Sequence, residues 1–164
     1  MKSARVAAPL GVCITPLAHT RAEVAADILA LMHTAHTQEA QWLQMPEMAP
    51  LLQTVPQLQA SSHFHLGALL AGSVVGVLVV APDDEPGQLN ISTLVVHPRA
   101  QRQGVARSLV QDALRRGPGV VFSVSAATAN AAANQLYRGL GFVPYRQGLL
   151  ADVLPITKLR RTAT

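Results

Sequence analysis

The chain is 164 residues long, 49% hydrophobic and 13% charged, which supplies one ample core and leaves no length for a separate regulatory domain. Thirteen Lys and Arg against nine Asp and Glu give a formal charge of +4 and favour anionic partners. Aromatics at 4% exclude a surface that reads single-stranded nucleic acid by stacking, and a lone Cys13 excludes a disulfide framework or a cysteine-built zinc site.

At the start, Lys2 and Arg5 precede an apolar run, and Leu10-Gly11-Val12-Cys13 is similar to a lipoprotein cleavage box. Val12 stands where that box needs a small residue, so the segment reads as ordinary chain. Val12 to Ala18 is a first strand. Thr20 caps a helix from Arg21 to about Thr34, with Val24, Ile28, Leu31 and Met32 at helical spacing. A second helical region, Thr37 to Gln59, is cut into short pieces by Pro46, Pro50 and Pro56 and reads as an irregular flap.

Phe64 to Leu70, Ser73 to Ala81 and Gln88 to His97 form an antiparallel meander, joined by an Ala71-Gly72 turn and a loop over 82–87. The longest apolar stretch, Gly67 to Ala81, is interrupted by Gly72, Ser73 and Gly76 and falls short of a membrane span. No membrane partner and a cytoplasmic, reducing location are therefore expected. A helix opening near Gly104 carries Val105, Leu109, Val110, Ala113 and Leu114 on one face and ends on Arg115-Arg116 before Gly117-Pro118. Val120 to Ser125 is a short buried strand, Asn130 caps a helix through Leu140, and Gly141 stops it. Val143 to Leu150 and Val153 to Leu159 are closing strands. The order predicts a mixed α/β (α+β) protein, one domain over 1–164.

Two segments carry chemistry. After the third strand of the meander, Leu94-Val95-Val96-His97-Pro98 leads into Gln101-Arg102-Gln103-Gly104-Val105-Ala106-Arg107 at a helix start. The first N–H groups of a helix lack partners and carry partial positive charge, so a phosphate seated there collects several hydrogen bonds. Small residues at Gly104 and Ala106 let an anion approach, and Arg102 and Arg107 flank the place. Neither the Lys-Ser/Thr phosphate loop nor a triple-glycine dinucleotide fingerprint is present, which disfavours a nucleotide-triphosphate enzyme. In the second segment Asn130, Asn134 and Tyr137 share one helix face beside an apolar stripe of Ala133, Leu136 and Leu140.

Together these residues resemble the GCN5-related N-acetyltransferases, the GNAT superfamily. Its motif Arg/Gln-x-x-Gly-x-Gly/Ala is matched by Gln101, Gly104 and Ala106. Its motif Asn-x-x-Ala-x-x-Leu-Tyr-x-x-Leu-Gly-Phe is matched by Asn130, Ala133, Leu136, Tyr137, Leu140, Gly141 and Phe142. The resemblance covers about residues 64–145. It implies a GNAT fold: a mostly antiparallel mixed sheet of six to seven strands, splayed between the fourth and fifth, with about four helices. It also implies acetyl-CoA as cosubstrate, its pyrophosphate on the backbone of Gln101 to Arg107 and its pantetheine arm along Leu94, Val95 and Val96. Asn130 and Asn134 would contact that arm, and Tyr137 would stand near the sulfur as general acid for the departing thiolate.

The implied activity is direct attack of a primary amine, on a small molecule or a peptide, upon the thioester. Some relatives carry a carboxylate on the strand that here holds Asn90, Ser92 and Thr93. Without it, a water held by Ser92 or by backbone carbonyls, His97, or another of the histidines is the candidate base. His36, Glu39, Gln41 and Trp42 are candidate residues of the acceptor lip. His33 with His36, and His63 with His65, form close pairs, but no carboxylate or cysteine completes a metal site. The alternatives are a coenzyme A-binding module without catalysis and a nucleic-acid binder. The scatter of the arginines, over the motif, Arg115-Arg116 and the Lys158-Arg160-Arg161 tail, argues against the latter. A homodimer stays open.

Overall fold

A computed structural model describes residues 11–44 and 53–162. Seven strands form one sheet in the order β1-β2-β3-β4-β5-β7-β6: β1 (Val12–Pro16), β2 (Phe64–Leu70), β3 (Ser73–Pro82), β4 (Leu89–Val96), β5 (Phe122–Ala127), β6 (Val143–Leu150) and β7 (Leu154–Arg161). Among the described residues four α-helices accompany it: α1 (Ala22–Trp42), α2 (Val55–Gln59), α3 (Val105–Arg116) and α4 (Ala131–Gly139). This is the mixed, splayed α/β architecture of the GNAT fold. No helix among the described residues is long and apolar enough to cross a membrane.

The meander, the helix capped by Asn130 and the strand Val143–Leu150 lie where the residue pattern puts them, and the Asn130 side chain accepts from the Ala133 N–H at 3.1 Å. The first helix differs. Its N-cap is Arg21, with no side-chain cap bond, so Thr20 does not cap it, and it runs through Thr34 to Trp42. Thr34 and Thr37 return their hydroxyls to the Ala30 and His33 carbonyls, and neither Gly nor Pro interrupts the run, so nothing stops the helix there. Thus the start of the expected flap belongs to α1. Pro56, read as a breaker, instead sits in the first turn of α2, whose Thr54 and Gln57 form a capping box. Pro46 and Pro50 lie outside the described residues, as do Lys2 and Arg5.

Two apolar layers hold the sheet. On one face α1 and α2 bury Ala25, Ile28, Leu31 and Leu58 against Val77, Val79 and Val95. On the other, Val105, Leu109 and Val110 of α3 and Tyr137 of α4 pack with Leu78, Val80, Phe122 and Phe142. Gly76 of β3 allows this second contact, because a Cβ there would meet Leu109 Cδ1 at 3.0 Å and Val105 Cγ1 at 3.1 Å. The first turn of α3 therefore lies directly on the sheet, beside the end of β4.

All neighbouring strands run antiparallel except β4 and β5. Their parallel pairing stops after Leu89↔Phe122, Asn90↔Ser123 and Ile91↔Val124. A polar clasp holds that paired end: Asn90 Nδ2 donates to Ser123 Oγ at 2.8 Å, and Ser123 Oγ donates to Asp83 at 3.1 Å. Just beyond it the β3–β4 register passes from Val80↔Ile91 to Val79↔Thr93, leaving Ser92 as an extra residue. Such a bulge bends its strand. It turns β4 away from β5 and leaves the edge of Ser92–Val96 unpaired by β5.

Candidate functional site

At the C-terminal end of β4 the chain makes a short 3-10 turn, Pro98–Ala100, and enters α3. Arg102 (φ 61) and Gly104 (φ 79) both adopt the left-handed region, which glycine enters without penalty and arginine does not. Main-chain turns of this kind gather N–H groups into a concave anion site. The N–H groups of Gln103 to Arg107 have no partner among the described residues, and the first helical bond runs from Ser108 N–H to the Gly104 carbonyl. Arg102 and Arg107 are exposed on either side. Arg107 Nη1 reaches over α4, 4.0 Å from where a Cβ on Gly139 would be. Val105 faces inward, so only its backbone is available to a ligand. Gln101 donates to Gln38 Oε1 at 2.7 Å and to the Val96 carbonyl at 3.1 Å, tying α1 to the mouth of the splay.

The open edge of β4, from Ser92 through Leu94, Val95 and Val96, faces the gap left by β5. From the far side of the gap comes α4. Asn134 Nδ2 donates to the carbonyls of Ala127 (3.0 Å) and Asn130 (2.8 Å), so both amides of this helix face shape the β5–α4 turn, with Asn134 Oδ1 left over. Tyr137 is 5% exposed and packs edge-on against Phe142, ring centroids 5.6 Å apart. Its hydroxyl has no hydrogen-bond partner among the described residues. Burial, with a smaller contribution from the Glu39 carboxylate, holds the phenol well above its ordinary pKa. Both effects favour the protonated phenol.

On the α1 face, a cleft of about 320 Å³ is lined by Leu29, Met32, His36, Gln53, Ser61, His63, His65, Val79, Ser92 and Thr93. Ser92 and Thr93 belong both to this cleft and to the splayed part of β4, so the cleft opens beside the gap. His65 and Thr93 flank Val79 in one row across β2, β3 and β4. Ser92 Oγ donates to the Val79 carbonyl at 3.4 Å.

Of the expected lip residues, His36 lines the cleft, Glu39 acts electrostatically on Tyr137, and Trp42 is 61% exposed at the end of α1. His97 accepts the Arg99 N–H on Nδ1 at 3.1 Å, so its ring caps the 3-10 turn. His63 and His65, a close pair in the sequence that fits surface or lip histidines better than a metal site, sit together in the cleft wall. No group of three or more His, Cys, Asp or Glu that could hold a metal occurs among the described residues.

The profile of the acetyltransferase (GNAT) family matches residues 27–142. The UPF0157 protein YqkA of Bacillus subtilis is 30% identical over 151 residues, 88% of this chain and 43% of its own. The chain thus spans less than half the length of this curated relative. Among solved structures, a GCN5-related N-acetyltransferase from Rhodopseudomonas palustris has a TM-score of 0.74 at 19% identity, with 95% of this chain and 96% of that one covered. The PaiA N-acetyltransferase of Thermoplasma acidophilum, solved in complex with coenzyme A, has a TM-score of 0.71 at 10% identity, covering 93% and 99%.

Proposed function

The chain belongs to the acetyltransferase (GNAT) family, and on that premise we propose that it transfers the acetyl group of acetyl-CoA to a primary amine by direct attack. The observation that carries this reading is the row of unpartnered N–H groups from Gln103 to Arg107, set between two exposed arginines at the end of an open strand edge. A pyrophosphate fits there by charge and by donor count. The main chain of Leu94 to Val96 offers the pantetheine amides a strand to pair with, which directs the thioester toward Ser92 and the cleft. Coenzyme A bound to the PaiA relative is consistent with this use of the fold.

In the reaction the amine nitrogen attacks the thioester carbon, a C–N bond forms, and the C–S bond breaks with its electron pair leaving on sulfur. Tyr137 donates its proton to that sulfur and is restored by the proton shed from the acylated nitrogen. Its protonated phenol suits this role, because a buried apolar site keeps the acid charged with its proton until the thiolate develops. Asn130 and Asn134 hold α4 so that Tyr137 keeps its place, and Asn134 Oδ1 is available to the cofactor arm. The acceptor binds in the α1-side cleft, whose lining contains no carboxylate among the described residues, so a singly charged small-molecule or peptide amine suits it better than a polyamine. Ser92 is placed to hold a water at the acceptor nitrogen.

Thiol release from acetyl-CoA over a panel of amines tests the proposal. Amine-dependent release is expected, abolished by Gly104→Glu, which sets a carboxylate among the N–H donors. Release that ignores the amine, or that survives Gly104→Glu unchanged, would overturn it.

A further inference from the structure

We propose that His65 is the base that deprotonates the acceptor amine in the α1-side cleft; this rests on the acetyl-transfer reading above. The histidine stands on β2 and lines the cleft in one row with Val79 and Thr93, beside Ser92 and the open edge of β4. Its Nδ1 lies 3.0 Å from the His63 carbonyl. A carbonyl only accepts, so Nδ1 carries the hydrogen and Nε2 holds the lone pair. No partner among the described residues occupies Nε2, which makes it the one ring nitrogen open to a ligand. His19 stacks on the ring with centroids 4.1 Å apart, and His19 Nε2 is fixed by the Ser61 carbonyl at 2.7 Å. The imidazole is therefore held in tautomer and in plane before any substrate arrives.

The surroundings keep it neutral. It is 3% exposed, and burial lowers its pKa below the ordinary value, with the charges of His19 and His63 adding to that and the His63 carbonyl opposing. The titratable groups around it are His19 between β1 and α1, His63 just before β2 and His36 across the cleft on α1; no carboxylate lines the cleft among the described residues. A neutral imidazole beside the acceptor can take a proton near pH 7, whereas His97 already spends Nδ1 on the Arg99 N–H. In the step, the ammonium acceptor gives one proton to Nε2, which passes it to solvent, and the free amine then attacks the thioester. Overall, amine and acetyl-CoA yield amide, coenzyme A thiol and one released proton.

The test compares wild type and His65→Gln with the best amine of the panel. Gln keeps a donor for the His63 carbonyl and removes the base. Turnover is expected to fall about 100-fold or more, with acetyl-CoA affinity within twofold by calorimetry. The acid limb of the wild-type kcat/KM profile, centred below pH 6.5, should vanish, leaving a rate that rises with the free-amine fraction. Unchanged turnover and profile in His65→Gln, with an active wild type, would overturn the assignment to His65 alone. A wild type that binds no acetyl-CoA would overturn the acetyl-transfer reading with it. Should His65→Gln lose its fold, by circular dichroism, ring-nitrogen NMR of the wild type decides: Nδ1–H with unprotonated Nε2 at pH 7 supports the proposal, and an Nε2–H tautomer contradicts it.

Discussion

Tyr137→Phe separates chemistry from architecture because the hydroxyl it removes makes no hydrogen bond among the described residues. The ring itself fills the α3 and α4 core, edge-on to Phe142 at 5.6 Å, and Phe keeps that contact. Folding stability should change by no more than about 1 kcal/mol, since no internal partner is stranded. Truncation to Ala would instead cost about 3–5 kcal/mol through an empty core site and would confound the result. Losing a positioned proton donor costs about 100-fold or more in rate. At 1.36 kcal/mol per decade, two decades correspond to about 2.7 kcal/mol in the barrier. The assay is steady-state thiol release with saturating acetyl-CoA, paired with calorimetric affinity and a thermal melt. The expected pattern is a kcat lower by two decades, an acetyl-CoA Kd within twofold, and an unchanged melt. Because burial raises this phenol well above 10, the wild type should also show no alkaline loss of kcat from the acid below pH 10. A variant within threefold of wild-type kcat would refute the acid role.

Three further outcomes follow from the same geometry. Arg102→Ala and Arg107→Ala should each weaken acetyl-CoA binding about fivefold, roughly 1 kcal/mol for an exposed charge-assisted contact, and both losses should shrink at high salt; a salt-independent effect would argue against a phosphate there. Gly76→Val should drive a side chain into Leu109 and Val105, cost about 1–3 kcal/mol in a denaturant titration, and weaken acetyl-CoA by shifting α3. Buried His65 prefers its neutral form, so the unfolded chain binds a proton near pH 6.5 that the folded chain refuses until lower pH. Stability therefore falls as the pH drops through and below 6.5, and the fall should be smaller in His65→Gln; equal melting shifts in the two proteins would count against a buried neutral imidazole.

Much of the fold was readable because strong local signals agreed with it. The apolar run at Phe64–Leu70 bounded by a Gly72 turn, the Asn130 cap and the arginine-ended α3 each reflect short-range physics. The row of free N–H groups at the start of α3 was readable for the same reason, since a helix start with Gly104 and flanking arginines is a contiguous feature. The end of α1 was not, because Thr34 and Thr37 look like stop signals until their hydroxyls are seen folded back on the helix. The Ser92 bulge depends on the register of β3 against β4, which no single strand reveals. His65 acquires its surroundings from His19, His63 and Thr93, which are brought together only by the fold, so its strand pattern alone did not set it apart from the other histidines. Asn130 and Asn134 were recognisable as one polar helix face, while their use in securing the β5–α4 turn required the tertiary positions of Ala127 and Ala133.

Acetyl transfer to nitrogen, as proposed, differs from mere retention of coenzyme A in the fate of the acetyl carbon. Incubation with acetyl-CoA labelled in the acetyl carbon, in the presence of the amine panel, followed by mass spectrometry of the products, measures that directly. Label is expected in an N-acetylated amine in equal amount to the thiol released. Label found only in free acetate, or retained on intact acetyl-CoA with every amine, would contradict the proposed transfer.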